Sequence, residues 1–358
     1  MHYFPRTPGA LLGQARAALV LLSACTFPEF SFSAVVTTAG AAGAAGAAGA
    51  AGAPDVYVVA ETEAGVQSVI SDGTSVYWSE LDERTGASAV RAAPVGGGDV
   101  RTVLGPERLA PREVLLFEGF EDEALYAYSF ERGVVRVDRG GAGLQVLLAD
   151  DALEIDFLVV GAYGLCVERI SPDRHDVALL PKAGSAAAEP STLATDVRDL
   201  LGAGPGGFVI VDAEGAVLLV CVAPGPGEEA TLTLVPPSTP EPTDVRMDDG
   251  AYYLLRPDAV ERLPRGGEGA ATPLATDEVD ASLLRDDGTT LYWLAGDGAL
   301  ADLRAVPKAG DAPPRTVAAD VSPAALDARG GHVFWVSPDA KTIFGRRARD
   351  EREGVAGP

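Results

Sequence analysis

The sequence predicts an all-β fold in which similar small sheets repeat around an axis. A pattern of alternating apolar strands separated by Gly/Asp turns returns seven times, and its clearest copies are residues 72–78, 287–293 and 330–335. The 42 glycines and 26 prolines fall at the ends of short apolar runs, which is typical of strands bounded by turns. Residues 55–358 show no helical apolar periodicity over four turns, so helices are not expected.

Each repeat fits one blade of a β-propeller. Divided by seven, residues 55–358 give about 43 residues per repeat, within the range of four-stranded blades. We therefore predict seven four-stranded blades; six blades are the alternative, and an all-β sandwich is the rival fold. The first strands of the blades are predicted near 66–71, 112–118, 154–160, 197–201, 244–247, 279–284 and 321–327.

The two ends of the repeat region are predicted to complete one another. The seventh unit lacks a fourth strand, because a charged segment follows Arg346. Residues 56–60, which precede the first unit, have the pattern of a fourth strand. We expect this N-terminal strand to pair into the last blade and close the ring, which leaves no exposed edge there.

The first 25 residues have the features of an export signal. Two arginines accompany a short apolar core at 17–24, which is too short to span a bilayer. The core ends in Leu22–Cys25, which resembles the bacterial lipobox. The resemblance implies cleavage before a lipid-modified Cys25, and Thr26 after it favours the outer membrane. The alternative is an ordinary signal peptide, cleaved later, in which Cys25 is incidental.

The composition of the remaining chain restricts its ligands. Residues 26–54 are rich in Ala and Gly and predict a flexible tether. Residues 55–358 hold 26 basic and 51 acidic residues, a net charge of −25. Such a surface repels phosphates and anionic headgroups, so we expect no nucleic-acid partner and membrane contact only through the lipid anchor.

Aromatic dipeptides recur at the centre of the second strands. Tyr77-Trp78, Tyr292-Trp293 and Phe334-Trp335, with the Pro/Gly turns that follow, resemble the Tyr-Trp-Thr-Asp repeats of low-density-lipoprotein-receptor-type propellers and the TolB-like propeller repeats. The Thr-Asp half is replaced here, and that class has six blades. The resemblance implies a propeller that binds proteins through one face. From their equivalent positions, we expect the tryptophans to fill the gaps between blades rather than to stack on sugars.

Two patterns resemble ligand sites but predict turns. Gly202-x-Gly204-x-x-Gly207 matches the dinucleotide fingerprint by letter, yet a strand follows it instead of the required helix. The pairs Asp150-Asp151, Asp248-Asp249 and Asp286-Asp287 could offer oxygen ligands to calcium, but each lies at a turn or a blade boundary, where Asp caps backbone N–H groups. The chain has no asparagine, which argues against a calcium-dependent lactonase-type propeller.

Histidine and cysteine give no catalytic pattern. His175 and His332 are isolated, without the HExxH or GxSxG motifs, and are expected to be solvated. Cys166 and Cys221 lie in apolar strands and are predicted to be buried free thiols, with a disulfide as the alternative. We therefore predict no catalytic, cofactor-binding or metal-binding residue, and Cys25 as the one modified position.

Three functions remain open at the level of sequence. The first is a non-catalytic, lipid-anchored, monomeric propeller that binds or scaffolds an envelope or extracellular protein. The second is a propeller hydrolase or lyase that acts on an extracellular glycan, and the third is a purely structural envelope protein. Inward carboxylates with perturbed pKa at one mouth of the channel would favour the enzyme. A polar channel with a broad apolar patch on one face would favour the binding module.

Overall fold

The computed structural model describes most of the repeat region, namely residues 56–121, 123–149, 154–161, 164–171, 174–182, 190–204, 207–222, 229–236, 241–265, 270–296, 300–322 and 325–347. The predicted signal peptide with Cys25, the tether 26–54 and the pair Asp150-Asp151 lie outside the described residues. Within them the fold is all-β, and no helix has the length and apolarity needed to cross a membrane.

The strands form seven antiparallel four-stranded sheets, which are the blades of a β-propeller. Blades 1 to 3 consist of β2 (Gly65–Ser71), β3 (Ser75–Asp82), β4 (Ala87–Pro94) and β5 (Arg101–Leu104); β6 (Leu115–Glu121), β7 (Ala124–Ser129), β8 (Gly133–Asp138) and β9 (Leu144–Leu148); and β10 (Glu154–Gly161), β11 (Gly164–Ser171), β12 (Arg174–Leu180) and β13 (Ser191–Thr195).

The other four blades have the same order. They consist of β14 (Val197–Gly204), β15 (Gly207–Asp212), β16 (Val217–Val222) and β17 (Glu229–Val235); β18 (Asp244–Met247), β19 (Ala251–Arg256), β20 (Ala259–Pro264) and β21 (Thr272–Thr276); β22 (Ser282–Asp286), β23 (Thr290–Ala295), β24 (Ala301–Pro307) and β25 (Arg315–Val321); and β26 (Leu326–Arg329), β27 (His332–Val336), β28 (Thr342–Arg347) and β1 (Val56–Glu61).

The first strands of the blades surround the central channel. Each contacts the first strand of the next blade, and β26 contacts β2, which completes the circle. The circle is closed by β1, which pairs antiparallel with β28 from Val56 opposite Arg346 to Glu61 opposite Thr342. The structure thus confirms both the seven blades and the N-terminal closing strand, and excludes the six-bladed alternative.

The core is divided among seven seams, a seam being the interface between two consecutive blades. One apolar cluster fills each seam. The aromatic dipeptides serve two seams at once: Trp293 packs in the cluster shared with blade 5, and Tyr292 in the cluster shared with blade 7. Because successive side chains of a strand point to opposite faces, two neighbouring aromatics reach both adjacent blades. Their burial confirms the predicted packing role: Trp78 is 1% exposed, Trp293 0% and Trp335 3%.

Two seams depend on the absence of a side chain. A Cβ at Gly202 would lie 2.3 Å from the carbonyl oxygen of Val245, and one at Gly119 would lie 2.4 Å from the Cβ of Val160. Both glycines stand at irregularities of their blade's first strand, where that strand meets the next one. They let the first strands of neighbouring blades approach closely.

Three of the predicted first strands are misplaced by several residues. Strand β6 begins at Leu115 rather than 112, because buried Glu113 accepts hydrogen bonds from Ala110 N, Ser129 Oγ and Arg132 Nε and holds this segment as a loop. Strand β22 begins at Ser282 rather than 279. Strand β26 begins at Leu326 rather than 321, because Val321 pairs with Ala301 as the end of β25.

Candidate functional site

Charged side chains from four blades converge in the central channel. Asp244 and Arg246 come from β18, Arg285 from β22, Asp327 from β26 and Glu118 from β6. The guanidinium groups of Arg246 and Arg285 lie 3.7 and 3.6 Å from the same oxygen, Oδ2 of Asp244. We call these five residues the channel cluster.

Two carboxylates of the channel cluster tie one blade to the next. Oδ2 of Asp244 accepts a hydrogen bond from the backbone N–H of Leu284 at 3.0 Å, which joins blade 5 to blade 6. Oδ2 of Asp327 accepts one from the backbone N–H of Ser71 at 2.6 Å, which joins blade 7 to blade 1. Because a charged acceptor makes a strong hydrogen bond, these aspartates stabilise the inner ring.

The arginines complete the junction of blades 5 and 6. Nε of Arg246 and Nη1 of Arg285 both donate to the carbonyl oxygen of Leu284, at 2.7 and 2.8 Å. Burial lowers the pKa of Arg285, and the neighbouring charge of Arg246 lowers it further. The two guanidinium groups therefore share one carboxylate and one carbonyl.

Glu118 differs from the other channel carboxylates in lacking a partner, whereas burial raises the pKa of Asp327 as well. Among the described residues, no hydrogen bond or ion pair within 4 Å holds its side chain. Burial raises its pKa to about 7, although the charges of Arg285 and Arg246 act in the opposite direction. Those arginines belong to blades 5 and 6, across the ring from blade 2, so Glu118 faces them through the channel. A carboxyl group with this pKa can give and accept a proton near neutral pH.

A second cavity, which we call the blade 1 pocket, lies between the β1–β2 connection and the β3–β4 hairpin. It has a volume of about 500 Å³, and its lining includes Glu61, Glu63, Ser88 and Val100. Trp78 forms part of its wall. The pocket is open to solvent and combines acidic, hydroxyl and small apolar groups.

An Arg-carboxylate-Trp arrangement supports the wall of the blade 1 pocket. Glu80 accepts hydrogen bonds from the indole N–H of Trp78 at 3.1 Å, from Arg91 Nε at 2.9 Å and from the Thr62 hydroxyl at 2.9 Å. Trp78 and Arg91 stand directly opposite each other on β3 and β4. Glu80 is therefore occupied on both oxygens.

Blade 6 contains the same arrangement, but its carboxylate comes from a different position in the repeat. Trp293 stands opposite Arg304, and Glu278 accepts from the indole N–H at 3.0 Å and from Arg304 at 3.3 Å. The carboxylate comes here from the segment before β22, whereas Glu80 lies on the same strand as its tryptophan. The buried indole nitrogens are thus satisfied inside the protein, which supports packing rather than sugar binding.

A third cavity of about 460 Å³ lies between blades 1 and 2 and is lined by Arg101, Glu123, Arg136, Asp138, Arg139 and Gly140. Arg139 pairs with Asp72 at 3.2 Å and with Glu123 at 3.0 Å. The terminal nitrogens of Arg101 donate to the Arg139 carbonyl, both at 3.2 Å. The ionic groups of this cavity mainly compensate one another.

The two aspartate pairs that the structure describes, Asp248-Asp249 and Asp286-Asp287, supply turn-capping carboxylates, as predicted. Oδ1 of Asp287 accepts hydrogen bonds from the backbone N–H groups of Thr289 and Thr290, and Oδ2 accepts one from the Tyr292 hydroxyl at 2.8 Å. Asp72 with Tyr77 and Asp248 with Tyr253 repeat this geometry at 2.9 and 3.0 Å. A carboxylate five residues before a tyrosine therefore caps the turn and satisfies the phenol.

Lys308 supplies the cation between two of these turns. Its ammonium group lies 3.2 Å from Asp248 and 2.8 Å from Asp286, and it stands over the ring of Tyr253. The part of the chain that the structure describes contains no group of three or more His, Cys, Asp or Glu side chains suited to a metal ion.

The glycine motif is a hairpin, as expected. Strand β14 ends at Gly204 and strand β15 begins at Gly207, so no helix follows the motif. Gly202 is required by the close approach to Val245 rather than by a phosphate.

The expectation of solvated histidines is wrong. His175 lies within β12, half-buried, with Nε2 2.5 Å from the buried carboxylate of Glu168. Nδ1 of His332 lies 2.9 Å from the Tyr57 hydroxyl, and burial lowers the pKa of His332. Both rings are structural contacts within blades 3 and 7.

Cys166 is a buried free thiol, as predicted. Burial raises its pKa, which makes it a poor nucleophile. The side chain of Cys221 lies outside those described.

Sequence reasoning missed the channel cluster. One signal was present: Glu118 interrupts the apolar segment Leu115–Phe120, and Arg246, Arg285 and Asp327 occupy other first strands. A charged residue on the innermost strand of a blade faces either the channel or a seam. Because burial of a charge in an apolar seam is unfavourable, such a residue is expected to face the channel.

No protein-family model and no curated protein matches this chain. Similar solved structures include a puromycin-hydrolyzing peptidase of Mycobacterium tuberculosis, with 16% identity and a TM-score of 0.54 over 83% of this chain; the match spans 56% of the peptidase, less than two thirds of its length. YCF48 bound to D1 peptide is similar at 14% identity and a TM-score of 0.53, over 82% of this chain and 96% of YCF48. The AfRom2 CNH domain is similar at 9% identity and a TM-score of 0.51, over 81% and 98%. At these identities the chain shares with them the β-propeller fold alone.

Proposed function

We propose that this protein is a lipid-anchored, extracytoplasmic propeller that binds or scaffolds another protein without catalysing a reaction. The observation that carries the proposal is the use of the channel carboxylates: Asp244 and Asp327 accept backbone N–H groups across two blade junctions. Carboxylates engaged in this way stabilise the ring, whereas glycan hydrolysis needs a pair that is free to act on substrate.

Charge and fold support a protein partner. A net charge of −25 over residues 55–358 disfavours polyanionic ligands and favours a partner with a basic surface. One propeller of similar fold, YCF48, has been solved bound to a peptide. Because the ring closes within one chain, we propose that the protein works as a monomer. The Leu22–Cys25 motif supports the lipid anchor.

The test is capture from source cells. The full chain with a C-terminal affinity tag is expressed there, the envelope is solubilised, and co-purified proteins are identified by mass spectrometry. We expect one saturable protein partner, and Cys25→Ser should move the bait from the membrane fraction to the soluble one. Recovery of no specific protein would contradict the binding function, and an unchanged fractionation of the variant would contradict the lipid anchor.

One observation favours the alternative function, an enzyme that acts on an extracellular glycan. Glu118 has a pKa of about 7 and is suited to act as a general acid. A screen of envelope glycans with the full chain and with Glu118→Gln separates the two functions. Turnover by the native chain that the variant loses would contradict the non-catalytic proposal.

A further inference from the structure

We propose that the central channel binds a small carboxylate anion, held between the guanidinium groups of Arg246 and Arg285 and the carboxyl group of Glu118. This inference goes beyond the proposed protein-binding function and does not depend on it. Three observations carry it: the two guanidinium groups have hydrogen-bond donors without acceptors, a carboxyl group faces them without pairing, and one mouth of the channel is narrow.

The first observation is an excess of donors on the arginine side of the channel. Each guanidinium group has five N–H donors, and each uses one nitrogen on the carbonyl oxygen of Leu284. The contacts with Oδ2 of Asp244, at 3.7 and 3.6 Å, are longer than hydrogen bonds. Among the described residues, the other guanidinium nitrogens have no acceptor. The side chains of Arg246 and Arg285 are 25% and 24% exposed, so an anion in the channel can reach these donors.

The charge of Arg285 is incompletely stabilised in the free protein. Burial lowers its pKa, and the charge of Arg246 lowers it further. A monoanion between the two guanidinium groups stabilises both charges, and the planar guanidinium fork matches a carboxylate. The net charge of −25 over residues 55–358 disfavours an anion with more than one charge, such as phosphate.

The second observation is that Glu118 faces the arginines without pairing. No ion pair within 4 Å joins them, yet the charges of Arg285 and Arg246 act against the burial that raises the pKa of Glu118 to about 7. A carboxylate that accepts a hydrogen bond of about 2.8 Å on each side bridges such a separation. Near neutral pH, protonated Glu118 donates its O–H to the anion, and the anion in turn favours the protonated form.

Backbone irregularities direct two of these groups into the channel. Glu118 lies at a register shift of β6, and Arg285 lies at one of β22. Leu283, shortly before Arg285, has a φ of 55°, in the left-handed region that is unfavourable for leucine. Register shifts of this kind re-aim side chains and are frequent beside functional sites, and so is backbone strain.

The third observation limits the size of the ligand. Arg329, at the end of β26, donates to the carbonyl oxygen of Phe120, near the end of β6, at 3.1 Å and stands over its ring. This contact joins blade 7 to blade 2 past blade 1, which lies between them, and it narrows one mouth of the channel. The narrow mouth favours a small acid over a polymer that threads the ring.

The ionisable groups around Glu118 decide how a pH test is interpreted. Its pKa responds to Arg285, Arg246 and Asp244, while Asp327 acts on Arg285. Strand β2 contributes no ionisable residue, and the other strands packed against β6, namely β3, β7 and β10, carry Tyr77, Glu80, Asp82, Tyr126, Tyr128, Glu154 and Asp156. A variant at Glu118 separates its titration from that of all these groups.

The test is a titration of the full chain, labelled with ¹⁵N, followed by NMR. The Nε–H group of Arg246, which is hydrogen-bonded to Leu284, is the reporter and is assigned by its loss in Arg246→Lys. Sodium acetate is the probe, and sodium phosphate and methylammonium chloride at equal ionic strength are the comparisons. We expect a saturable shift with acetate, about tenfold weaker binding of phosphate and no shift with methylammonium.

The pH dependence identifies the contact with Glu118. In the native chain the affinity for acetate should fall about tenfold between about pH 6 and about pH 8, because binding above the pKa of Glu118 takes up a proton. Glu118→Gln keeps a donor at this position, so it should bind acetate within about threefold of the native chain at about pH 6 and lose the pH dependence. Glu131→Gln, at an exposed turn, is the control and should behave as the native chain.

Arg285→Gln tests the guanidinium side. We expect it to weaken acetate binding by about tenfold or more at both pH values, because one of the two guanidinium groups is lost. The matched control is Arg84→Gln, which makes the same charge change at a side chain that is 85% exposed and should bind as the native chain.

Three results would overturn the proposal: no saturable shift with acetate, phosphate or methylammonium binding as tightly as acetate, or a native pH dependence that Glu118→Gln retains. Because Glu118→Gln leaves both arginines in place, its result decides the proposal even where Arg285→Gln does not fold.

Discussion

Burial in the channel holds the pKa of Glu118 at about 7, far above the ordinary value of a glutamate. Between about pH 4.5 and about pH 7, the folded protein therefore keeps a proton on Glu118 that the unfolded chain has already released. For an acid with a raised pKa, the folded state becomes less favourable as pH rises from the unfolded pKa, about 4.5, to the folded one. Above that window the unfavourable contribution is constant.

Replacing Glu118 by Gln should remove this pH-dependent cost. The variant should unfold less readily than the native chain. Its advantage in unfolding free energy should be about 1 to 2 kcal/mol larger at about pH 8.5 than at about pH 5.5. Urea denaturation of the two proteins at both pH values measures it. Glu131→Gln, at an exposed turn, is the control and should give a pH-independent difference. An equal gain at both pH values for Glu118→Gln would show that its carboxyl group titrates normally.

At the residue scale, local chemistry was predictable and long-range proximity was not. The turn role of Asp248 and Asp287 follows from neighbouring residues, and the burial of Trp78 follows from its equivalent place in the repeat. The pairing of His175 with Glu168 and the surroundings of Glu118 depend on which strands the fold brings together. A single sequence does not contain those distances.

The strands were predictable because each is a short apolar run between turn residues. Fourth strands such as β5 and β13 begin where the alternation begins. The first strands were harder, because loop residues before them are also apolar. Val279 continues the pattern by sequence but is 55% exposed, and the strand starts only at Ser282. The buried carboxylate of Glu113 shows how one polar residue can fix a loop that hydrophobic pattern alone assigns to a strand.

Gly202→Ala tests the seam between blades 4 and 5. The added Cβ would lie 2.3 Å from the Val245 carbonyl oxygen, so the first strands of the two blades must separate. We expect a loss of about 1 to 3 kcal/mol of unfolding free energy, measured by urea denaturation. Gly250→Ala is the control: its Cβ would make an ordinary contact at 3.5 Å, and the effect should stay within about 0.5 kcal/mol. Equal losses for both variants would contradict the close-packed seam.

At the scale of the whole molecule, the number of repeats determined the fold. Six blades and seven blades share the same local pattern, and the count came from the spacing along residues 55–358. The closing strand was predictable because the seventh repeat is short by one strand and residues 56–60 have the pattern of that strand. The channel cluster was not, since it exists only once the ring has brought blade 2 opposite blades 5 and 6.

Removal of β1 tests ring closure. A chain that begins at Thr62 leaves the edge of β28 without a partner. It also lacks Val59 and Ala60, so the apolar seam between blades 7 and 1 becomes exposed. We expect self-association and a lower melting temperature than in a chain that begins at Val56. Light scattering and thermal unfolding measure the two effects. A monomeric chain with an unchanged melting temperature would show that β1 is dispensable for closure.

The pairing of β1 with β28 also sets an order of events during synthesis. Among the strands that the structure describes, the ribosome makes Val56–Glu61 first, yet their partner Thr342–Arg347 emerges about 280 residues later. At about 5 to 20 residues per second, this delay is on the order of 15 to 60 seconds. Throughout it, a valine-rich strand has no native neighbour on its pairing edge, so the nascent chain benefits from any factor that shields the strand until the last blade is complete.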